Sequence, residues 1–107
     1  MKKIVMIHTS PVSLNDLKAL VKQYMPEVEL VNIIDDSLLE EVKKNNGPTP
    51  QIISRMNMYV QVANSLHPDL IFNQCSSVGE AFDIAKKSTT IQTLKIDEPM
   101  AKKAVEL

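Results

Sequence analysis

The residue of this chain best suited to chemistry is its only cysteine, Cys75. It follows the predicted strand 70–73 (Leu-Ile-Phe-Asn) and precedes Ser76 and Ser77. Ser77 and Glu80 have the spacing of a capping box, which marks the start of a helix. The partial positive charge at a helix N-terminus favours a thiolate over a thiol. Cys75 is therefore a candidate nucleophile or proton-abstracting base, although a lone cysteine at a strand end also serves as a small apolar core residue.

Other polar side chains stand where further strands are expected to end. They are, in chain order, His8, Thr9 and Ser10, then the pair 35–36, and finally the pair 97–98. In a parallel sheet the carboxyl ends of the strands share one edge, and ligands bind beyond that edge. We therefore expect all of these groups to line one rim together with Cys75.

Alternating strands and helices are predicted to position this rim. The predicted strands are 4–7, 28–34, 70–73 and 91–96, and the predicted helices are 14–21, 38–42, a long one from Pro50 to just before Pro68, 78–87 and 97–107. Continuous apolar runs are typical of strands covered on both faces, and strands alternating with helices favour a parallel sheet. Residues 1–107 are thus predicted to form a single α/β lobe: a four-stranded parallel sheet with helices on both faces, in a flavodoxin-like three-layer arrangement.

The composition excludes several classes of protein. Lys and Arg number 12 and Asp and Glu 13, so nothing indicates binding to nucleic acid or to an anionic membrane. A single cysteine forms no internal disulfide, and no apolar run approaches the length that spans a bilayer. We expect a cytoplasmic protein without a membrane or nucleic-acid partner.

Known cysteine sites on small α/β domains do not fit the spacing. A phosphatase-type loop needs arginine where Ala81 stands, and a thioredoxin-like site needs a second cysteine where Val78 stands. A receiver-type switch needs its phosphorylated aspartate where Cys75 stands. The chain has only two glycines and no phosphate-binding fingerprint, so a nucleotide cofactor is not expected. We predict neither a cofactor nor a bound metal.

Four segments of the sequence carry a family resemblance. They are 73–81 (Asn-Gln-Cys-Ser-Ser-Val-Gly-Glu-Ala), 96–101 (Ile-Asp-Glu-Pro-Met-Ala), 5–9 (Val-Met-Ile-His-Thr) and 35–39 (Asp-Asp-Ser-Leu-Leu). Together they are similar to the amino-terminal lobe of the aspartate/glutamate/hydantoin racemase family, and the similarity covers essentially the whole chain.

The resemblance implies a cofactor-independent isomerase that needs no pyridoxal phosphate. In that family two α/β lobes each supply one cysteine, on opposite faces of a small amino-acid-like substrate. One thiolate removes the α-proton and the other thiol returns a proton. Cys75 would be the first-lobe cysteine, and Thr9, Ser10, Ser76 and Ser77 would bind the substrate carboxylate.

His8 and Asp36 are further candidates at the rim. His8 could assist proton transfer, or its ring could be satisfied by a backbone group at the strand end. Asp35 and Asp36 resemble a paired-carboxylate site, but capping of the next helix is the better explanation for at least one of them. Asp36 or Ser37 is the predicted cap.

The chain departs from the family in its length. Family members are about twice as long, and the second lobe with its cysteine has no counterpart here; the helix 97–107 would lead into it. The chain is then either a truncated form or one half of a homodimer in which each copy contributes Cys75 across a twofold axis. Met58, which lies off the core face of the long helix, is a candidate subunit contact. The alternative function is a catalytically silent carboxylate-binding or structural domain.

Overall fold

Strands and helices alternate along the chain, as the sequence predicts. A computed structural model describes residues 2–11, 14–47, 49–74 and 78–95. The elements are β1 (Lys3–His8), α1 (Leu14–Tyr24), β2 (Glu29–Ile34), α2 (Ser37–Lys44), α3 (Pro50–Ser65), β3 (Leu70–Asn73), α4 (Gly79–Ala85), a 3-10 turn (Lys86–Ser88) and β4 (Gln92–Lys95). The predicted helix 97–107 lies outside the described residues.

The four strands form one parallel sheet in the order β2-β1-β3-β4. β1 is central, and Ile7 has Ile33 of β2 beside it on one side and Asn73 of β3 on the other. The predicted four-stranded parallel sheet is confirmed.

Two apolar cores lie on opposite faces of this sheet, because successive strand residues point to opposite sides. One face carries Val5, Ile7 and Ile71 and is covered by buried residues of α2, α3 and α4, namely Leu38, Ile52, Met56, Val60, Ala63, Ala81, Phe82 and Ala85. The other face carries Ile4, Met6, Leu70, Phe72 and Leu94 and packs against Val21 of α1. Helices therefore cover both faces, and the predicted flavodoxin-like three-layer arrangement is confirmed.

The long helix α3 starts where its sequence predicts. Thr49 is the N-cap, Pro50 occupies the first helical turn, and the Thr49 hydroxyl oxygen accepts a hydrogen bond from the Ile52 amide at 3.3 Å. Met56 is fully buried and Met58 is 54% exposed, so the two methionines lie on different faces of the helix.

Among the residues that the structure describes, no helix combines the length and the apolar character needed to cross a bilayer. The cytoplasmic location stays a prediction from the sequence.

Candidate functional site at the carboxyl edge of the sheet

The polar residues that follow β1, β2 and β3 meet at one edge of the sheet. Backbone hydrogen bonding continues beyond the strands: the Asp35 amide donates to the His8 carbonyl at 3.0 Å, and the Gln74 amide donates to the Ile7 carbonyl at 2.9 Å. The residues that follow β2 and β3 therefore flank the end of β1.

The winding of the chain reverses between β1 and β3, which are neighbours in the sheet. The helix that follows β1 contributes Val21 to one core, whereas the helix that follows β3 contributes Phe82 to the other. Loops that leave two adjacent parallel strands toward opposite faces open a crevice between them, and this is where ligands bind in open α/β sheets. The switch point lies at the ends of β1 and β3.

The residues predicted to bind a carboxylate follow the two strands that flank the switch point. In the sequence, Thr9 and Ser10 come after β1, and Ser76 and Ser77 come after β3. Thr9 is buried, with 3% of its surface exposed, and Ser10 is partly exposed; both follow β1. Gln74, the last described residue after β3, is partly exposed. The other predicted site residues, Cys75, Ser76 and Ser77, lie outside the described residues. Val78 occupies the N-cap position of α4 and makes no side-chain cap.

The ring of His8 is held by a side chain rather than by the backbone group that the sequence analysis considered. His8 is fully buried, and its Nε2 lies 2.7 Å from Oδ1 of Asn32 on β2. A carbonyl oxygen only accepts, so Nε2 carries the hydrogen, and in the neutral ring Nδ1 keeps its lone pair. Nδ1 is buried without a hydrogen-bond partner among the described residues. A buried acceptor left unpaired costs about 1–3 kcal/mol, which marks His8 as a functional candidate.

A dense hydrogen-bond cluster surrounds Asp35 just after β2. Oδ1 of Asp35 accepts from the Ser37 amide at 2.9 Å and from the Ser37 hydroxyl at 2.6 Å. Oδ2 accepts from Nη2 of Arg55 at 2.9 Å and from the hydroxyl of Tyr59. Arg55 also donates to the Ser37 hydroxyl oxygen. We call these four residues the Asp35 cluster.

The Asp35 cluster holds a fixed charge pair. Burial acts to raise the pKa of Asp35, but hydrogen bonds from Ser37 and Tyr59 and the charge of Arg55 outweigh it, so the pKa lies below 3.8. Burial, and then the hydrogen bond to Asp35, raise the pKa of Tyr59 above 10.0. At neutral pH the cluster therefore contains a carboxylate, a guanidinium and a neutral phenol.

The prediction that at least one of the two aspartates caps α2 is confirmed, but the capping side chain is that of Asp35 and not that of Asp36 or Ser37. Asp36 is the N-cap residue by position, yet its side chain makes no capping hydrogen bond and is exposed. The acceptor for the Ser37 amide is instead the carboxylate of Asp35. A role for Asp36 in ligand binding stays a prediction.

The sequence analysis did not identify Arg55 and Tyr59 as site residues. The available signal was their spacing: residues four apart on a helix present neighbouring side chains. The spacing does not identify the partner of Arg55 and Tyr59, because Asp35 lies 20 residues before Arg55 in the chain.

An open depression of about 390 Å³ lies at the start of α3, lined by Pro50, Gln51, Ser54 and Arg55. Through Arg55 this depression adjoins the Asp35 cluster, and it does not lie at the switch point of the sheet. Within the described part of the chain, no three His, Cys, Asp or Glu side chains are grouped closely enough to hold a metal ion.

No protein-family model, no curated protein and no solved structure matches this chain. The similarity to the racemase family therefore depends on the sequence motifs alone.

Proposed function

We propose that this chain is a racemase-like lobe that exchanges the α-proton of a small amino-acid-like carboxylate at Cys75, without a cofactor. The observation that supports the proposal best is the pairing of β1 with β3 at the switch point of the sheet. Thr9 and Ser10 follow one of these strands, and Cys75 comes two residues after the other in the sequence. Hydroxyl groups and a thiol are thereby attached to the two strand ends where a ligand is expected.

In the proposed reaction the thiolate of Cys75 removes the α-proton of the bound acid and becomes a thiol. The electron pair of the broken C–H bond is delocalised into the carboxylate, which gains enediolate character. Hydrogen bonds from Thr9, Ser10, Ser76 and Ser77 stabilise this developing charge. The thiol loses this proton to solvent, takes up one from solvent, and delivers the new proton to the same carbon.

One base working from one face exchanges the proton and retains the configuration. Inversion requires a second acid on the opposite face, which family members take from their second lobe. His8 is suited to accept a proton rather than to supply this second acid, because its buried Nδ1 carries a lone pair in the neutral ring and has no partner in the described structure.

Deuterium exchange tests this proposal. L-aspartate and L-glutamate are incubated with the protein in deuterated water, and loss of the α-proton signal is followed by NMR. We expect exchange by the native chain and a loss of about 100-fold or more in Cys75→Ser, because general base catalysis contributes at least this much.

A matched pair of threonine variants localises the effect. Thr9→Val removes a hydroxyl at the carboxyl edge of the sheet and should slow exchange, whereas Thr90→Val removes one before β4, at the opposite edge, and should leave the rate unchanged. Absence of exchange with both amino acids at every protein concentration would remove the enzymatic proposal.

The second candidate function is a carboxylate-binding domain without turnover. It is favoured by the single cysteine of the sequence, since the family reaction uses two. This alternative predicts that aspartate or glutamate raises the melting temperature of the native chain and of Cys75→Ser equally, without any proton exchange. Exchange that depends on Cys75 would refute it.

A further inference from the structure

The exposed face of α3 carries no charge. Its exposed residues after the first proline are Gln51, Ser54, Asn57, Met58, Gln61, Val62 and Ser65. The only charged residue of the helix, Arg55, is bound to Asp35 within the Asp35 cluster.

The two preceding helices differ from α3 in this respect. α1 exposes Asp16, Lys18 and Lys22, and α2 exposes Glu40, Lys43 and Lys44. Helix faces that stay in water usually carry such charges. A face that lacks charge and exposes methionine has instead the composition found at the centre of protein interfaces.

The middle of this face is apolar and inexpensive to bury. Met58 and Val62 are 54% and 50% exposed and lie one turn apart on the helix. Two of the polar neighbours already have intramolecular partners: the Ser65 hydroxyl donates to the Val62 carbonyl at 2.6 Å, and the Gln61 amide donates to the Ser88 hydroxyl oxygen at 2.7 Å. Burying these groups leaves their hydrogen bonds intact, so the desolvation cost is small.

We propose that this face of α3 pairs with the same face of a second copy of the chain, antiparallel about a twofold axis at Met58. Positions 51, 54, 58, 62 and 65 form one stripe that is evenly spaced about residue 58. The axis brings Met58 against Met58 of the partner subunit, and Val62 against Ser54 of the partner subunit. An uncharged stripe with an apolar centre thus meets an identical one, which is the self-complementarity that a twofold interface requires.

The small size of this face limits the affinity of the proposed dimer. A helix of 16 residues is about 24 Å long, and a single pair of helices buries less than the roughly 800 Å² per partner of a standard interface. We therefore expect a dimer with a Kd of about 1 μM or weaker.

This dimer is distinct from one that joins two Cys75 residues. The start of α3 lies at the carboxyl edge of the sheet, where Arg55 binds Asp35. Antiparallel pairing puts the two carboxyl edges at opposite ends of the helix pair, so the inference goes beyond the proposed function and does not depend on it.

Analytical ultracentrifugation of the full chain, from about 1 μM to about 1 mM, tests the inference across the expected Kd range. The native chain should pass from monomer to dimer, and Met58→Glu should remain monomeric throughout because two carboxylates would face each other at the axis. Leu20→Glu is the matched control, since Leu20 is 48% exposed on α1. It should dimerise like the native chain.

Disulfide formation tests the geometry. In a Cys75→Ser background, Met58→Cys should form a covalent dimer on mild oxidation, and Leu20→Cys should not. A native chain that stays monomeric, a dimer that survives Met58→Glu, or equal loss of the dimer in Leu20→Glu would each overturn the inference.

Discussion

At the scale of single residues, Asp35 makes the densest set of polar contacts described at the carboxyl edge. Its carboxylate accepts four hydrogen bonds, two from Ser37, one from Arg55 and one from Tyr59. Only 15% of the Asp35 side chain is exposed, so its part-buried contacts with Arg55 and Tyr59 are screened less than those of a pair at the surface. The cluster ties the turn after β2 to α3 and so holds one side of the rim in place.

Removing one donor should weaken this attachment measurably. Tyr59→Phe deletes the hydroxyl that donates to Asp35, and a hydrogen bond to a charged group contributes about 1.5–3 kcal/mol to stability. We expect the free energy of unfolding in urea at pH 7 to fall by about 1–2 kcal/mol. Tyr24→Phe is the control, because Tyr24 is 60% exposed. Equal stability of the two variants would contradict the role of the cluster.

Tyr59→Phe should also change how the free energy of unfolding depends on pH. The pKa of Asp35 is lowered in the folded state, so its contribution is present above 3.8 and is lost as the pH falls through the folded value. Tyr59→Phe should move that pKa upward, toward 3.8. The stability difference from the native chain is then largest near neutral pH and shrinks in acid.

At the scale of elements, α3 links the rim to the core. It supplies Arg55 and Tyr59 to the Asp35 cluster, and Ile52, Met56, Val60 and Ala63 to the core on the same face of the sheet. Its first turn begins at Thr49, whose side chain satisfies the Ile52 amide. The stability of that turn therefore supports both the packing and the position of Arg55.

Loss of the cap should destabilise the protein at this point. Thr49→Ala removes the acceptor for the Ile52 amide, and such changes cost about 0.5–2 kcal/mol. Thr90→Ala, at an exposed position before β4, should have little effect. Both are measured by urea unfolding followed by circular dichroism, and an equal effect of the two changes would count against the observed cap.

At the scale of the whole molecule, two cores on opposite faces stabilise one sheet. The face covered by α2, α3 and α4 includes Phe82, which is 1% exposed. Domains of this size are stable by only about 5–15 kcal/mol in total. A single cavity in this core therefore removes a large share of the stability.

Alanine substitutions of Phe82 and Ile84, both on α4, measure how much this core contributes to the free energy of unfolding. Phe82→Ala should cost about 3–5 kcal/mol, because the surrounding residues cannot fill the space of the ring. Ile84→Ala lies on the same helix, but Ile84 is 49% exposed, so the change should stay within about 0.5 kcal/mol. Thermal and urea unfolding give both values. A mild effect of Phe82→Ala would mean that α4 is loosely packed.

Local chemistry in the sequence determined much of this protein. Continuous apolar runs such as 4–7 and 70–72 indicated strands covered on both sides, and the alternation of these strands with helices indicated the parallel sheet. The sequence placed the start of the long helix at Pro50 and Met58 off its core face, and both predictions are confirmed. These features depend on residues close together in the chain, so they can be predicted from the sequence. The role of Cys75 stays a prediction.

Only the tertiary structure decided which distant groups meet. The strand order β2-β1-β3-β4 places β1 between β2 and β3 and creates the switch point. The contact of His8 with Asn32, and that of Asp35 with Arg55, join residues 24 and 20 positions apart. No local pattern specifies such pairs, because the first results from the pairing of β1 with β2 and the second from how α3 packs on the sheet. The His8 nitrogen that has no partner among the described residues, and the fixed charge of Asp35, are consequences of these long-range contacts.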